Sequence, residues 1–513
     1  MKRHSRKFIL SAVSLLSLTL IGFAASQSNF RTLNDFWGQL YQAVHGIPGP
    51  STHAGPNGVG PANRIRHWNE IAVNASGLDH TPVAPGENRV FGEQLGPTRS
   101  SRAMAIVHIA IFEAVNAIDG RCQSYLGLGR ARQDTSMEVA ISEAACETLD
   151  ALYPSQQPTF NQQLANDLSE IPDNRPKKDG IALGHLAAST ILGLRTNDGS
   201  QVPEPHIGIN FTTSNDPGKW REDPISQLSV ALGAYWGSVQ PFVLQSGSQF
   251  RAPVPPAINS AEYATAFNEV KSVGGDGVIT PTTRTAEQTH IGIFWAYDGT
   301  PSLCAPPRLY NQITMHIADQ LGTSSDPAKL ARLLVLANVA MADTAIAVWD
   351  SKYFYQYWRP VTGIRESDAG TGPTGLGDGN PATTGNPTFS PLGAPASNLN
   401  GPNFTPPFPS YPSGHGGFGG ALFETLRMFY GTDQIAFTFT SDEFNGVTRD
   451  NSGNVRPLLP RSFSSLSQAE EENGQSRIYL GIHWSFDKVE AIAQGRRVAD
   501  YVFANAFAPF PKR

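Results

Sequence analysis

Cysteine is scarce in this chain of 513 residues: Cys122, Cys146 and Cys304 are all it has. Three thiols cannot all pair within one chain, so a disulfide-stapled scaffold is excluded. A Cys122–Cys146 bond stays open to an exported protein, although buried free thiols are the favoured reading. Charge is also sparse. Asp, Glu, Lys and Arg make up 16% of the residues, and 38 basic against 44 acidic side chains leave a net charge of −6. No global positive field draws nucleic acid or an acidic membrane to such a surface, so any anion must be recognised locally. Beyond residue 25 no run reads as apolar for long enough to span a bilayer. The glycines near residue 416 are no phosphate-cradling loop, because no lysine and hydroxyl pair completes one.

What is present suits a soluble globular protein, with 40% apolar residues and enough length for two or three units able to bury a core. Lys2, Arg3, Arg6 and Lys7 precede an apolar run, 8–25, and Ala24, Ala25 and Ser26 offer small residues for cleavage. Residues 1–26 therefore read as a signal peptide of a secreted or periplasmic protein, with no membrane contact after cleavage. An uncleaved anchor is the competing reading.

Helical periodicity dominates the remainder. Residues 27–95 are rich in Gly, Pro, Asn and His and read as an irregular arm. Apolar spacing predicts helices over 101–119, 136–153 and 180–196, with His108 and His185 as core histidines. Residues 200–258 lack sustained periodicity and suit a crossover. Helices are expected again over 260–274, 284–298, 327–358 and 485–507. The fold class is mainly α, with two helical bundles: an N-terminal arm plus bundle over 27–258, and a second bundle over 259–513 carrying the active site. Lys352, Tyr355 and Arg359 recur at three- and four-residue steps, which predicts Lys352 and Arg359 on one helix face, two turns apart, before Pro360. The glycine- and proline-rich stretch 366–410 is expected to rim a pocket, and a second loop covers 438–461.

Three segments carry the chemistry. KYFYQYWRP holds Lys352 and Arg359, PSGH holds Ser413, Gly414 and His415, and SRIYLGIHWSFD holds Arg477, His483 and Asp487. Two guanidinium groups suit tetrahedral oxyanions, and the lysine adds a compact charge. A hydroxyl and a glycine amide at a helix start add further donors. A zinc-like site on His415, His483 and Asp487 is the obvious rival, but three neighbouring cations repel a divalent ion.

Together these segments spell K-x6-R-P, P-S-G-H and S-R-x5-H-x3-D. In this they resemble the superfamily of vanadium-dependent haloperoxidases and type 2 phosphatidic acid phosphatases. Phe408 five residues before Ser413, Trp349 three before Lys352, and the runs FWAYDGT and PPRLYNQI are similar to the chloroperoxidase-like branch. That resemblance implies a vanadate cofactor whose oxygens are held by Lys352, Arg359, Ser413, Gly414 and Arg477. It implies His483 as the vanadium ligand, oriented by Asp487, and His415 as general acid and base. Lys352 would polarise bound peroxide, Trp349 and Phe408 would wall the halide, and Asp298 would orient Arg477. Hydrogen peroxide, halide (chloride or bromide) and a small organic acceptor are the expected partners, and hypohalous acid the product. A secreted acid phosphatase with a phosphohistidine intermediate is the alternative in the same pocket.

Overall fold

The computed structural model describes residues 29–51 and 60–511. The expected signal peptide lies outside the described residues. The architecture is mainly helical, as the periodicity predicts. In the N-terminal half run α1 (Leu33–Trp37), α2 (Pro61–Asp79), α3 (Gly96–Asp119), α4 (Met137–Leu152), α5 (Gln157–Ser169) and α6 (Arg175–Arg195). The second half adds α7 (Ala261–Val273), α8 (Ala286–Phe294), α9 (Pro306–Gln320), α10 (Pro327–Tyr355), α11 (Pro360–Arg365), α12 (Gly414–Tyr430), α13 (Leu466–Tyr479) and α14 (Ser485–Asn505). Strands among the described residues are two short antiparallel pairs: β1 (Gln42–Ala43) with β2 (Leu399–Asn400), and β3 (Phe437–Phe439) with β4 (Arg461–Phe463).

Side-chain and proline caps set many of the helix starts. Thr32 forms a capping box with Asp35 at α1, Asp326 accepts from Ala328 and Lys329 at α10, and Ser413 accepts from Gly416 at α12. The helices α3 and α10 are apolar nearly all round, because they cross the centre of the molecule and pack against each other. Each passes the length and hydropathy test for a membrane span, contrary to the expectation of none. Their apolar windows are nonetheless 100% and 94% buried within the fold, as core helices require. One continuous apolar core joins both halves, and a smaller aromatic cluster of Tyr263, Phe267, Trp358, Tyr411 and Trp484 lies beside it.

Three further expectations are corrected. The supposed arm contains α2, whose Ile65, Trp68 and Ala72 are fully buried; its polar remainder masked the period. His185 is no core histidine: its side chain is 63% exposed and pairs with Glu147. Finally, α10 stops at Tyr355, where Gln356 turns left-handed (φ 49°). Arg359 is therefore extended at the N-cap of α11, and Pro360 opens that helix rather than ending α10. All three cysteines are buried and free.

His108 is buried, with Nε2 against the Asn69 Oδ1 oxygen, and burial pushes its pKa down to about 3. The unfolded chain takes up this proton nearer pH 6.5, so stability from the neutral ring is complete above 6.5 and declines as pH falls towards 3. The decline is about 1.4 kcal/mol per pH unit. A His108→Gln variant should lose about 2–3 kcal/mol less than the parent between pH 6.5 and 4.5 in urea titrations.

The glycine run of α12 permits a close crossing with α14. A Cβ at Gly420 would stand 2.5 Å from the Ile492 carbonyl oxygen, and one at Gly416 2.9 Å from the Ala491 Cβ. The helices therefore touch backbone to backbone, which holds the amino end of α12 beside the start of α14. Gly420→Ala is expected to cost about 1–3 kcal/mol, read as a lower thermal midpoint, since backbone must move to admit the methyl group.

Candidate active site

The three segments converge. Lys352 sits in the last turn of α10, Arg359 at the start of α11, Ser413 at the start of α12 and Arg477 in the last turn of α13. His483 lies in the short link between α13 and α14, and Asp487 in the first turn of α14. All are buried. Asp298, Trp349, Phe408, Gly414, His415, Arg477 and His483 line one cleft. The side chains of Lys352, Arg359 and Asp487 bear on residues of that wall.

Hydrogen bonds fix the state of each ring. His483 Nδ1 lies 2.8 Å from Asp487 Oδ2, and its Nε2 lies 2.9 Å from Arg359 Nη1. A carboxylate accepts and a guanidinium only donates, so Nδ1 carries the proton and Nε2 presents its lone pair. Ser410 Oγ and the Trp484 backbone N–H donate to the same carboxylate oxygen, which fixes its orientation. Burial first, then the charges of Arg359, Lys352 and Arg477, hold His483 well below the ordinary histidine range. A neutral ring with an unprotonated nitrogen, here hydrogen-bonded by Arg359, is what a ligand or nucleophile needs.

His415 is oriented differently. Its Nε2 donates to the Ala296 carbonyl at 2.5 Å, which leaves Nδ1 unprotonated. Tyr310 Oη (3.2 Å) and Asn473 Nδ2 (2.9 Å) donate to the His415 carbonyl oxygen and pin its backbone. Burial and the Arg477 charge hold this ring too well below the ordinary range.

The cations supply the donors. Lys352 Nζ donates to the Pro409 and Ser410 carbonyls at 2.8 and 2.9 Å and lies 5.0 Å from the Phe408 ring centroid and 5.7 Å from that of Trp349. Arg359 donates to the Phe408 and Ile482 carbonyls. Arg477 Nη2 is clamped by both Asp298 oxygens, at 2.6 and 2.8 Å, whereas its buried Nε and Nη1 have no partner among the described residues. Burial, then mutual repulsion with Arg359, pushes Lys352 well below its ordinary value; burial takes Arg359 down to about 9. Cations so disfavoured are relieved by an anion between them.

The fit to an oxyanion follows from these observations. Orphaned guanidinium donors on Arg477, the first amides of α12 beyond its internal ladder, and the Nε2 lone pair of His483 together suit a vanadate- or phosphate-shaped group. His415, His483 and Asp487 do not form a chelating trio, because Asp487 turns its bonded oxygen to His483 Nδ1. Among the described residues no cluster of His, Cys, Asp or Glu is placed to hold a metal cation.

Several contributors were not singled out from sequence. Ser410, Asn473 and Tyr310 position the two histidines, although Ser410 lies between Phe408 and Ser413 and Tyr310 stands inside the run PPRLYNQI. The N-terminal half also lines the cleft, through Phe36, Trp37, His80, Gly96 and Pro97; no local pattern connects these to a site centred near residue 415. Of the 366–410 stretch, only Phe404, Pro406, Pro407 and Phe408 reach the cleft wall. Its glycine-rich part folds on itself and on the start of α7, through Asn380 to the Ser260 carbonyl.

Comparison with known proteins gives the family of the chain. Residues 332–511 match the family model described as the "VCPO second helical-bundle domain". Vanadium chloroperoxidase of Curvularia inaequalis is 31% identical over 520 residues, covering 84% of this chain and 80% of that protein. A solved bacterial vanadium-dependent iodoperoxidase is similar with a TM-score of 0.68 and 25% identity, over 90% of this chain and 100% of its own. The apo form of a bacterial vanadium-dependent chloroperoxidase, at 16% identity, shares the fold with a TM-score of 0.59, over 80% of this chain and 94% of its own. Its likeness along most of its length to vanadium chloroperoxidase places this chain in the vanadium-dependent haloperoxidase family.

Proposed function

We propose that the protein is a vanadate-dependent haloperoxidase, which oxidises chloride or bromide with hydrogen peroxide and a proton to hypohalous acid and water. One observation carries this reading: His483 presents an unprotonated Nε2 among three buried cations, while aromatic rings flank the lysine. Arg359, Arg477, Lys352, Ser413 and the Gly414 amide would hold vanadate oxygens, and His483 Nε2 would bind vanadium. Bound vanadate supplies a Lewis-acidic centre that activates peroxide for attack by halide while its own oxidation state stays fixed.

The chain's own residues do the rest. His415 Nδ1 takes a proton from arriving peroxide and returns it to the departing oxygen. Lys352, with one N–H beyond its two carbonyl bonds, donates to the oxygen on which negative charge grows. Trp349 and Phe408, with ring centroids 5.0 Å apart, exclude water where a weakly hydrated halide sits. The expected signal segment supports export, and hydrogen peroxide, halide and a small acceptor are the partners.

The test uses protein freed of bound anion by dialysis against a chelator. Orthovanadate, peroxide and bromide should then restore bromination of a dye. Hydrolysis of a phosphomonoester, inhibited by vanadate and without bromination, would replace this reading with the phosphatase one.

A further inference from the structure

The loop 438–461 lines no part of the cleft, yet it backs the turn that carries two active-site contacts. That turn follows α8, and in it Ala296 and Asp298 stand on either side of Tyr297. The Ala296 carbonyl accepts from His415 Nε2 at 2.5 Å, and the Asp298 carboxylate clamps Arg477 Nη2 with both oxygens. Tyr297 itself is fully buried and left-handed, with φ 45°. A residue with a Cβ rarely adopts that conformation, and for a bulky ring it is an outlier. It persists only where the surroundings enforce it, and such outliers gather at functional sites.

The surroundings here are polar and buried. Tyr297 Oη accepts from the Asp442 backbone N–H at 2.6 Å and donates to Gln312 Oε1 at 3.2 Å. Asp442 is fixed in turn, because Arg308 Nε (3.2 Å) and Gln312 Nε2 (3.0 Å) both donate to its Oδ2. One residue back, Ser441 Oγ donates at 2.6 Å to the carbonyl of Phe294, where α8 ends. One residue on, Glu443 Oε1 accepts from the Tyr297 N–H at 3.4 Å, while Ser397 and Arg456 hold its other oxygen. All of these side chains are buried, so bulk water does not replace a bond that is lost.

We propose that Tyr297 is a positioning residue of the active site: its hydroxyl, locked into the 438–461 loop, holds the left-handed turn that sets His415 and Arg477 together. This rests on the haloperoxidase reading for His415, whereas Arg477 holds an oxyanion of either kind. With the turn in place, His415 Nε2 keeps its proton and Nδ1 stays the base. When the turn relaxes, the ring is free to take either tautomer, and Arg477 loses the carboxylate that aims its unpaired Nε and Nη1. Tyr297 lines no part of the cleft, so its influence divides between these two partners.

Tyr297→Phe keeps the ring and removes both hydroxyl bonds. In the full chain it should lower kcat for vanadate-dependent bromination about tenfold and raise the vanadate Kd about fivefold. Double-mutant cycles separate positioning from a general loss of stability. In a His415→Ala background the effect on kcat should shrink below about twofold, while that on Kd persists. In an Asp298→Ala background the effect on Kd should shrink likewise. Effects of full size in both backgrounds would overturn the proposal, because Tyr297 would then act on stability and not through these two residues. Parent-like kcat and Kd would overturn it as well. Should the phenylalanine variant not fold, Ser441→Ala, which frees the Phe294 carbonyl at the same turn, is put through the same cycles with the same pattern expected. A parent that brominates nothing removes the haloperoxidase reading. The Kd arm, read with inorganic phosphate, then decides alone, and an unchanged Kd overturns the role of Tyr297.

Discussion

His483→Ala should retain no vanadium after desalting and should lose bromination by at least about 10³-fold, more than the 10–100-fold typical when a residue behind a metal ligand is removed. The side chain does two things that no neighbour can repeat. Its Nε2 is the one unprotonated ring nitrogen facing the guanidinium of Arg359. Its Nδ1–H uses the carboxylate oxygen of Asp487, which Ser410 and the Trp484 amide also engage. Alanine leaves the cations in place, so weak electrostatic attraction for an oxyanion persists while the directed bond is lost. Vanadium content and initial rate measured on one sample separate these effects. Unchanged vanadium content would remove His483 from the ligand role.

His415→Ala should separate binding from turnover in the opposite way. Vanadium retention is expected to stay within about tenfold of the parent, while kcat falls by about 10²–10⁴-fold, the usual contribution of a positioned acid–base group. The backbone at residue 415 stays in place, because Tyr310 and Asn473 hold its carbonyl whatever the side chain. The loss should therefore appear in kcat at saturating peroxide, with a lowered thermal midpoint because the Ala296 carbonyl loses the ring as its donor. A fall in vanadium content equal to that of His483→Ala would assign His415 to binding instead.

Much of this site was legible in the sequence because its residue types are costly to bury without a purpose. Arg359, Arg477 and Lys352 are fully buried cations, and their spacing relative to two histidines and a Ser-Gly pair already implied an anion. The Ser413 cap and the glycines of α12 also follow from local rules, since hydroxyls start helices and glycines admit close crossings. The path of the chain between Lys352 and Arg359 did not follow from such rules. Three- and four-residue spacing is compatible with a helix, yet Gln356 turns left-handed and Arg359 approaches His483 from the start of a new helix. Likewise α2 was hidden because a buried face with Ile65, Trp68 and Ala72 alternates with Asn, Arg and His. The contribution of Phe36 and Trp37 depends on a strand pair between residues about 360 apart in sequence. Long-range pairing of two residues leaves almost no local trace.

The convergence of donors around His483 Nε2 has one most direct test. Protein stripped of bound anion is loaded with orthovanadate, desalted, and its vanadium measured by atomic emission, with and without a large excess of inorganic phosphate. One vanadium per chain, displaced by phosphate because both anions use the same donors, is the expected result. No retained vanadium, or retention that phosphate leaves untouched, would contradict a shared oxyanion cage built from Lys352, Arg359, Arg477 and His483.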